Sequence, residues 1–324
     1  MKHIKLLKFQ IVMAGIIVYS LTSCQDTSEL NPIDEMKTEQ IQPDLSSGIL
    51  HFKDKEEFSD YLASSDKSSD LNFYSLAMAL GEFNTSKNLR TNESKEFIEE
   101  FEGSALLEIL NEDGMVIIDS SLYFLDFGNK VIAVTQDFSL KDNLLDGKFE
   151  DENIKLFSFE DEVLELVEIG SSSTVNSRTL LFCSDRKASG KMEKIDYEYL
   201  DAGSQTAHRV ETKHGYQKAG IYFSLLTQIK HMSKPNGSAL PWSASNTYLH
   251  LERYTKFKRR CGSTHEGNTP ITESWESKIN FRPHEGTKGL ARYRIRSTYT
   301  FLEKSELGTG DLIDIILPEI NDGY

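Results

Sequence analysis

Hydrophobic and polar positions divide the chain into two regimes. Beyond residue 178 they alternate with the period of a strand. The clearest run is ARYRIRSTYTF at 291–301. Ala291, Tyr293, Ile295, Tyr299 and Phe301 take one face, and Arg292, Arg294, Arg296, Thr298 and Thr300 the other. IYFSLLTQIKH (221–231) alternates in the same way, and WESKINFR (275–282) sets Trp275, Ile279 and Phe281 opposite Glu276, Lys278, Asn280 and Arg282. With further strands near 178–184, 205–213, 247–259 and 311–317, seven or eight strands are expected over 178–324. That count predicts an antiparallel β-sandwich.

The preceding stretch, 48–170, mixes periods. GILHF (48–52) reads as a strand entering a helix whose Phe58, Tyr61 and Leu62 fall at i, i+3 and i+4. SDLNFYSLAMAL and ESKEFIEEFEGSALLEIL give further helical stripes, the second interrupted at Gly103. Asp113-Gly114 marks a turn, and Gly128-Asn129 separates two apolar runs as a hairpin. ENIKLFSFEDEVLELVEIG adds a strand and a short helix. A small α+β domain is therefore predicted, bounded by the Ser-rich GSSSTVNSRT at 170–179. The expected class is α+β, a small mixed N-terminal domain followed by the sandwich.

The first residues carry an address. Lys2, Lys5 and Lys8 precede the apolar run Ile11–Tyr19, followed by small and polar residues, as in a secretory signal. The run is shorter than the ~20 apolar residues of a spanning helix. Leu21-Thr22-Ser23-Cys24 resembles the lipobox of bacterial lipoproteins, which implies that residues 1–23 are removed and that Cys24 becomes an acylated first residue. Two or more acyl chains hold a protein firmly to a bilayer. Residues 24–47 then form an acidic, Pro-containing tether with a reach of about 25 Å. The lipobox, GILHFKDKEEFSDYL and LLEILNEDGMVIIDSSLYFLDFGNKV together resemble a group of uncharacterised secreted lipoproteins of Bacteroidetes. The resemblance implies an outer-membrane lipoprotein of the cell envelope and brings no activity with it. Asp26 and Glu29, close behind Cys24, would favour the outer face; the periplasmic face is the alternative.

Charge and cysteines narrow the rest. Residues 25–170 hold 34 Asp+Glu against 11 Lys+Arg, net −23, and residues 171–324 hold 17 against 22, net +5. This balance argues against a nucleic-acid binder, which carries a markedly basic domain. Cys183 and Cys261 remain after Cys24 is acylated, an even pair suited to a disulfide in an oxidising compartment, with two separate buried thiols as the alternative.

Motifs for chemistry fail. His265-Glu266 and His284-Glu285 lack the second histidine of a zinc-protease helix and sit in Gly-rich sequence that reads as surface turns. Ser184 to Lys187 and Ser64 to Lys67 match Ser-x-x-Lys without its companion motifs. No catalytic residue, metal site or cofactor is assigned. Two features support binding of a glycan or a protein. The first is the row Arg292, Arg294 and Arg296, beside Lys256 and Lys258, suited to anionic groups; solvated pairing with Glu252 or Glu276 is the alternative. The second is Trp242 in the loop 233–246, which as an exposed indole would anchor a sugar or a protein and otherwise folds back onto the core. The expected function is non-catalytic binding, with a hydrolase using dispersed carboxylates and a structural or assembly lipoprotein as the other classes.

Overall fold

The computed structural model describes residues 44–64, 73–81, 92–170, 184–201, 203–303 and 310–324. Cys24, the signal, most of the tether, Cys183 and most of the expected strand 178–184 lie outside them. Ile41–Tyr324 forms one compact unit. It is strand-rich, with three sheets that are largely antiparallel, and all of its described helices precede residue 171.

The first sheet runs in chain order, β1 (Asp44–Ser46), β2 (Ile49–Phe52), β3 (Met115–Ile118), β4 (Ser121–Asp126), β5 (Val131–Thr135) and β6 (Lys155–Ser158). Only β2 and β3 are parallel, with Phe52 opposite Ile118. Between them the chain makes a long crossover through α1 (Lys55–Ala63), α2 (Leu76–Gly81), α3 (Asn92–Glu100) and α4 (Ala105–Ile109), as a parallel pair requires. Phe58, Tyr61 and Leu62 are buried as their spacing predicts, and Gly103, at φ 69°, separates α3 from α4. Val116 and Ile118 meet Phe58, Ile98, Phe101 and Leu106 on one face of the sheet. On the other, Met115, Ile117, Phe124 and Ala133 meet Leu144 of α5 (Lys141–Leu145) and Ile154. Burial on both faces explains why these strands read as continuous apolar runs.

The second sheet orders β7 (Lys191–Asp201), β8 (Thr206–Lys218), β9 (Phe223–Pro235) and β13 (Lys278–Gly286), with β10 (Ser243–Ala244) extending the far end of β9. The third orders β12 (Thr264–Glu276), β11 (Thr247–Arg259) and β14 (Leu290–Glu303). β15 (Asp311–Ile316) and β16 (Ile320–Asp322) share the other edge of β14. Two apolar clusters draw on both sheets. One holds Tyr216, Phe223 and Leu225 with Phe257, Tyr293 and Ile295; the other holds Val210, Ile229 and Ile279 with Leu251, Tyr299 and Phe301.

The turn between β8 and β9 is seated in the first core, where Ala219, Ile221 and Tyr222 are fully buried. Gly220, at φ 66°, accepts from the Val163 amide at the start of α6 (Val163–Gly170) at 3.0 Å and donates to the Phe159 carbonyl at 2.9 Å.

Two expectations are corrected. WESKINFR is not one strand: β12 ends at Glu276, Trp275 adopts φ 62° with 68% exposure, and the chain crosses at Ser277 to the second sheet. The two His-Glu-Gly segments are not turns, since His265 and Glu266 lie in β12 and His284 and Glu285 in β13. Their glycines are accommodated in paired extended backbone.

Candidate functional site

The basic row assembles as its alternation predicts. In the β11–β14 register Lys258 stands opposite Arg292 and Lys256 opposite Arg294, so the five cations share one outward face. Their partners differ from the expected Glu252 and Glu276. Glu319, just before β16, spans two arginines, accepting from Arg294 Nε at 2.6 Å and from Arg296 Nε. Lys256 meets Glu266 at 2.9 Å, and Lys258 meets Asp185 at 2.8 Å. Arg292 instead lies 4.8 Å from the Tyr324 ring centroid, with the Lys256 ammonium 5.3 Å from the same ring. Hydrogen bonds from Arg294 and Arg296 hold the Glu319 carboxyl below the usual carboxylate range, and those from Lys256 and Tyr254 do the same for Glu266. The face is therefore a mosaic of paired charges with an aromatic ring across it. Exposed pairs of this kind contribute little stability, ~0–1 kcal/mol each.

Trp242 is neither a free platform nor a core plug. Half-buried, it lies against the outward side of the second sheet, with Arg209 of β8 at 4.9 Å and Lys234 of β9 at 4.6 Å from its ring. Cations so placed stabilise the indole by cation–π attraction, and they occupy ring surface that a sugar would use.

Cys261 is disulfide-bonded. Asp185 accepts from its amide at 3.0 Å and from Lys258, and these hydrogen bonds hold the Asp185 carboxyl low. The chain two residues beyond Cys183 is thus fixed against Cys261.

Two polar arrangements, one half-buried and one buried, had no signal in the sequence. Four cations on the outward side of the second sheet surround the end of α3. Lys213 Nζ donates to the Glu99 carbonyl at 2.8 Å and Arg282 Nη2 to the Glu102 carbonyl at 3.0 Å; Gln217 reaches the Glu100 carbonyl, while the Glu102 carboxylate meets Lys278 at 3.1 Å and Lys230. Burial, with neighbouring like charges, pushes Lys213 and Lys230 down to about 8. These groups satisfy carbonyls that a helix end leaves without partners. The second arrangement is a polar belt between the two apolar clusters, formed by Thr212, His214, Arg253, Thr255 and Ser297. There Arg253 stacks 3.7 Å from the Phe281 ring centroid and donates to Thr255 Oγ1 at 3.0 Å. The belt residues come from β8, β11 and β14, so only the fold brings the groups of different strands together.

Among the described residues no three His, Cys, Asp or Glu side chains converge to hold a metal, and no helix is long and apolar enough to cross a membrane. No protein-family model matches the chain, and a search of curated proteins finds no relative of it.

Proposed function

We propose that this chain is a lipid-anchored protein of the bacterial cell envelope whose folded unit binds a protein partner without catalysis, through the outward face of β11 and β14. The anchor reading rests on the Leu21–Cys24 segment and is supported by Asp185. That contact favours Cys183 as the disulfide partner of Cys261 and leaves Cys24 for acylation. The second and third sheets are read as the layers of a β-sandwich, supported by the two clusters that draw on both.

The observation that carries the binding reading is the composition of the face. Four of its five cations already hold carboxylates, which disfavours a polyanionic glycan, while interleaved arginines, acids and the Tyr324 ring fit a protein surface of complementary pattern. An assembly role through strand addition at β12 is less favoured. Its free edge carries Pro270, which has no amide to donate, and Glu273, devices that guard an edge against pairing. Crosslinking on intact cells with the parent chain and with Arg292, Arg294 and Arg296 all changed to Ser tests the reading. The expected result is one adduct present in the parent and lost in the variant at equal abundance; an unchanged adduct pattern refutes it.

A further inference from the structure

Strand β7 is an outer strand of the second sheet, away from the basic face and independent of the protein-binding reading. It runs eleven residues, about twice the usual strand, and pairs with β8 without a bulge from Lys191 opposite Tyr216 to Asp201 opposite Thr206. It contains no proline, and among the described residues no strand pairs with its other side. A long, unbroken edge of this kind is a template for a further strand.

The side chains select which strand. In the register with β8, Ile195, Tyr197 and Tyr199 face inward with Thr212, Val210 and His208. The two tyrosines pack against the cluster that holds Val210 and Phe301, whereas Ile195 is 36% exposed and leaves apolar surface open at the edge. Met192, Lys194, Asp196, Glu198 and Leu200 face outward, with Leu200 also exposed.

We propose that β7 pairs antiparallel with β7 of a second copy of this chain, about a two-fold axis at Asp196. An axis placed on a residue keeps inward side chains beside inward ones. This register uses all eleven residues and sets Lys194 opposite Glu198 and Lys191 opposite Asp201, each twice. Met192 meets Leu200, and Ile195 meets Tyr197, so the apolar layer continues across the seam. Glu193, held by Lys191 at 2.7 Å, lies beside Tyr199. Only Asp196 meets its like, and Lys194 at 3.4 Å on the same strand offsets it. Glu198 accepts from Arg209 Nε at 2.8 Å, but at 54% exposure its carboxylate is open to a second cation. A slip of two residues one way opposes Asp196 to Glu198 and Glu193 to Asp201; the other way it opposes Met192 to Glu198. The same charges repel strands of other sequence, so they guard the edge and match only its own copy.

Sedimentation equilibrium of the full chain in density-matched detergent tests this. A reversible dimer is expected. Lys194→Glu, which opposes two acids at both symmetric positions, should weaken association about tenfold or more, and Lys194→Glu combined with Glu198→Lys should restore it. Asp196→Asn, which removes the like charges on the axis, should tighten it about threefold. A chain that stays monomeric up to about 0.1 mM, a dimer unmoved by Lys194→Glu, or one that the exchanged pair fails to restore overturns the proposal. Should Lys194→Glu fail to fold, Asp196→Asn decides: association no tighter than the parent's overturns the proposal.

Discussion

Acidification should destabilise the folded unit through two histidines that the fold keeps neutral. His214, fully buried in the polar belt, donates Nε2–H to the Pro318 carbonyl at 2.9 Å and accepts at Nδ1 from Ser297 Oγ at 3.0 Å. His284, packed beside Phe257, donates Nε2–H to the Lys288 carbonyl at 3.0 Å. Burial pushes both from 6.5 down to about 4, and for His284 the nearby Arg259 and His265 add to it. Because each folded value lies below the unfolded one, the unfolded chain binds more protons between the two. The stabilisation is fully present above the unfolded value and is lost as pH falls toward 4. From about pH 7.5 to about pH 5 each site loses roughly 2 kcal/mol, so the pair loses up to about 4 kcal/mol. Urea unfolding across this range measures the slope. His284→Gln, which keeps a donor for Lys288, should flatten it by close to one proton, about 1.4 kcal/mol per pH unit. Identical slopes in the parent and His284→Gln would refute the reasoning.

Three further outcomes follow from particular contacts. A Cβ at Gly220 would stand 2.2 Å from Ile132 Cδ1 and 3.0 Å from Val163 Cγ2 at a left-handed φ, so Gly220→Ala should cost about 2–4 kcal/mol in denaturant unfolding. Arg260 and Glu162 form a buried ion pair, and burial raises the Glu162 carboxyl. Arg260→Ala should therefore cost about 3 kcal/mol or more, and Glu162→Gln in the same chain should recover part of it by removing the stranded charge. Cys261→Ser should lower stability by about 4–5 kcal/mol if the loop closed is the ~78 residues back to Cys183. Alkylation without reductant should then label Cys183 only in the variant.

Legibility in the sequence tracked burial on one face. β14 was readable residue by residue because its inward set is apolar apart from Ser297 and its outward set is Arg and Thr. α1 was readable for the same reason at the helical period. β12 was not, because nearly every residue in it is exposed on both faces, so no alternation exists to detect. β7, an edge strand with only partly buried Tyr197 and Tyr199, gave a similarly faint pattern. In β9 the alternation misled in another way: its outward Leu226 and Gln228 are buried as deeply as its inward residues, because the end of α3 docks on that side. The basic row was legible as a face, whereas its neutralisation was not. Glu319, Glu266 and Asp185 come from the connection before β16, the paired strand β12 and the segment before β7, contacts set by the fold alone. The parallel pairing of β2 with β3 was equally hidden, since it spans more than sixty residues of intervening chain.

The central claim, an acylated anchor carrying a folded binding unit, is tested most directly at the anchor. Intact-mass and N-terminal peptide mass spectrometry of the protein extracted from its native membrane reads it in one measurement. The expected result is a mature chain that begins at Cys24 and carries a diacylglyceryl group with further acylation. A mature chain that begins at another residue, or an unmodified thiol at Cys24, would contradict it.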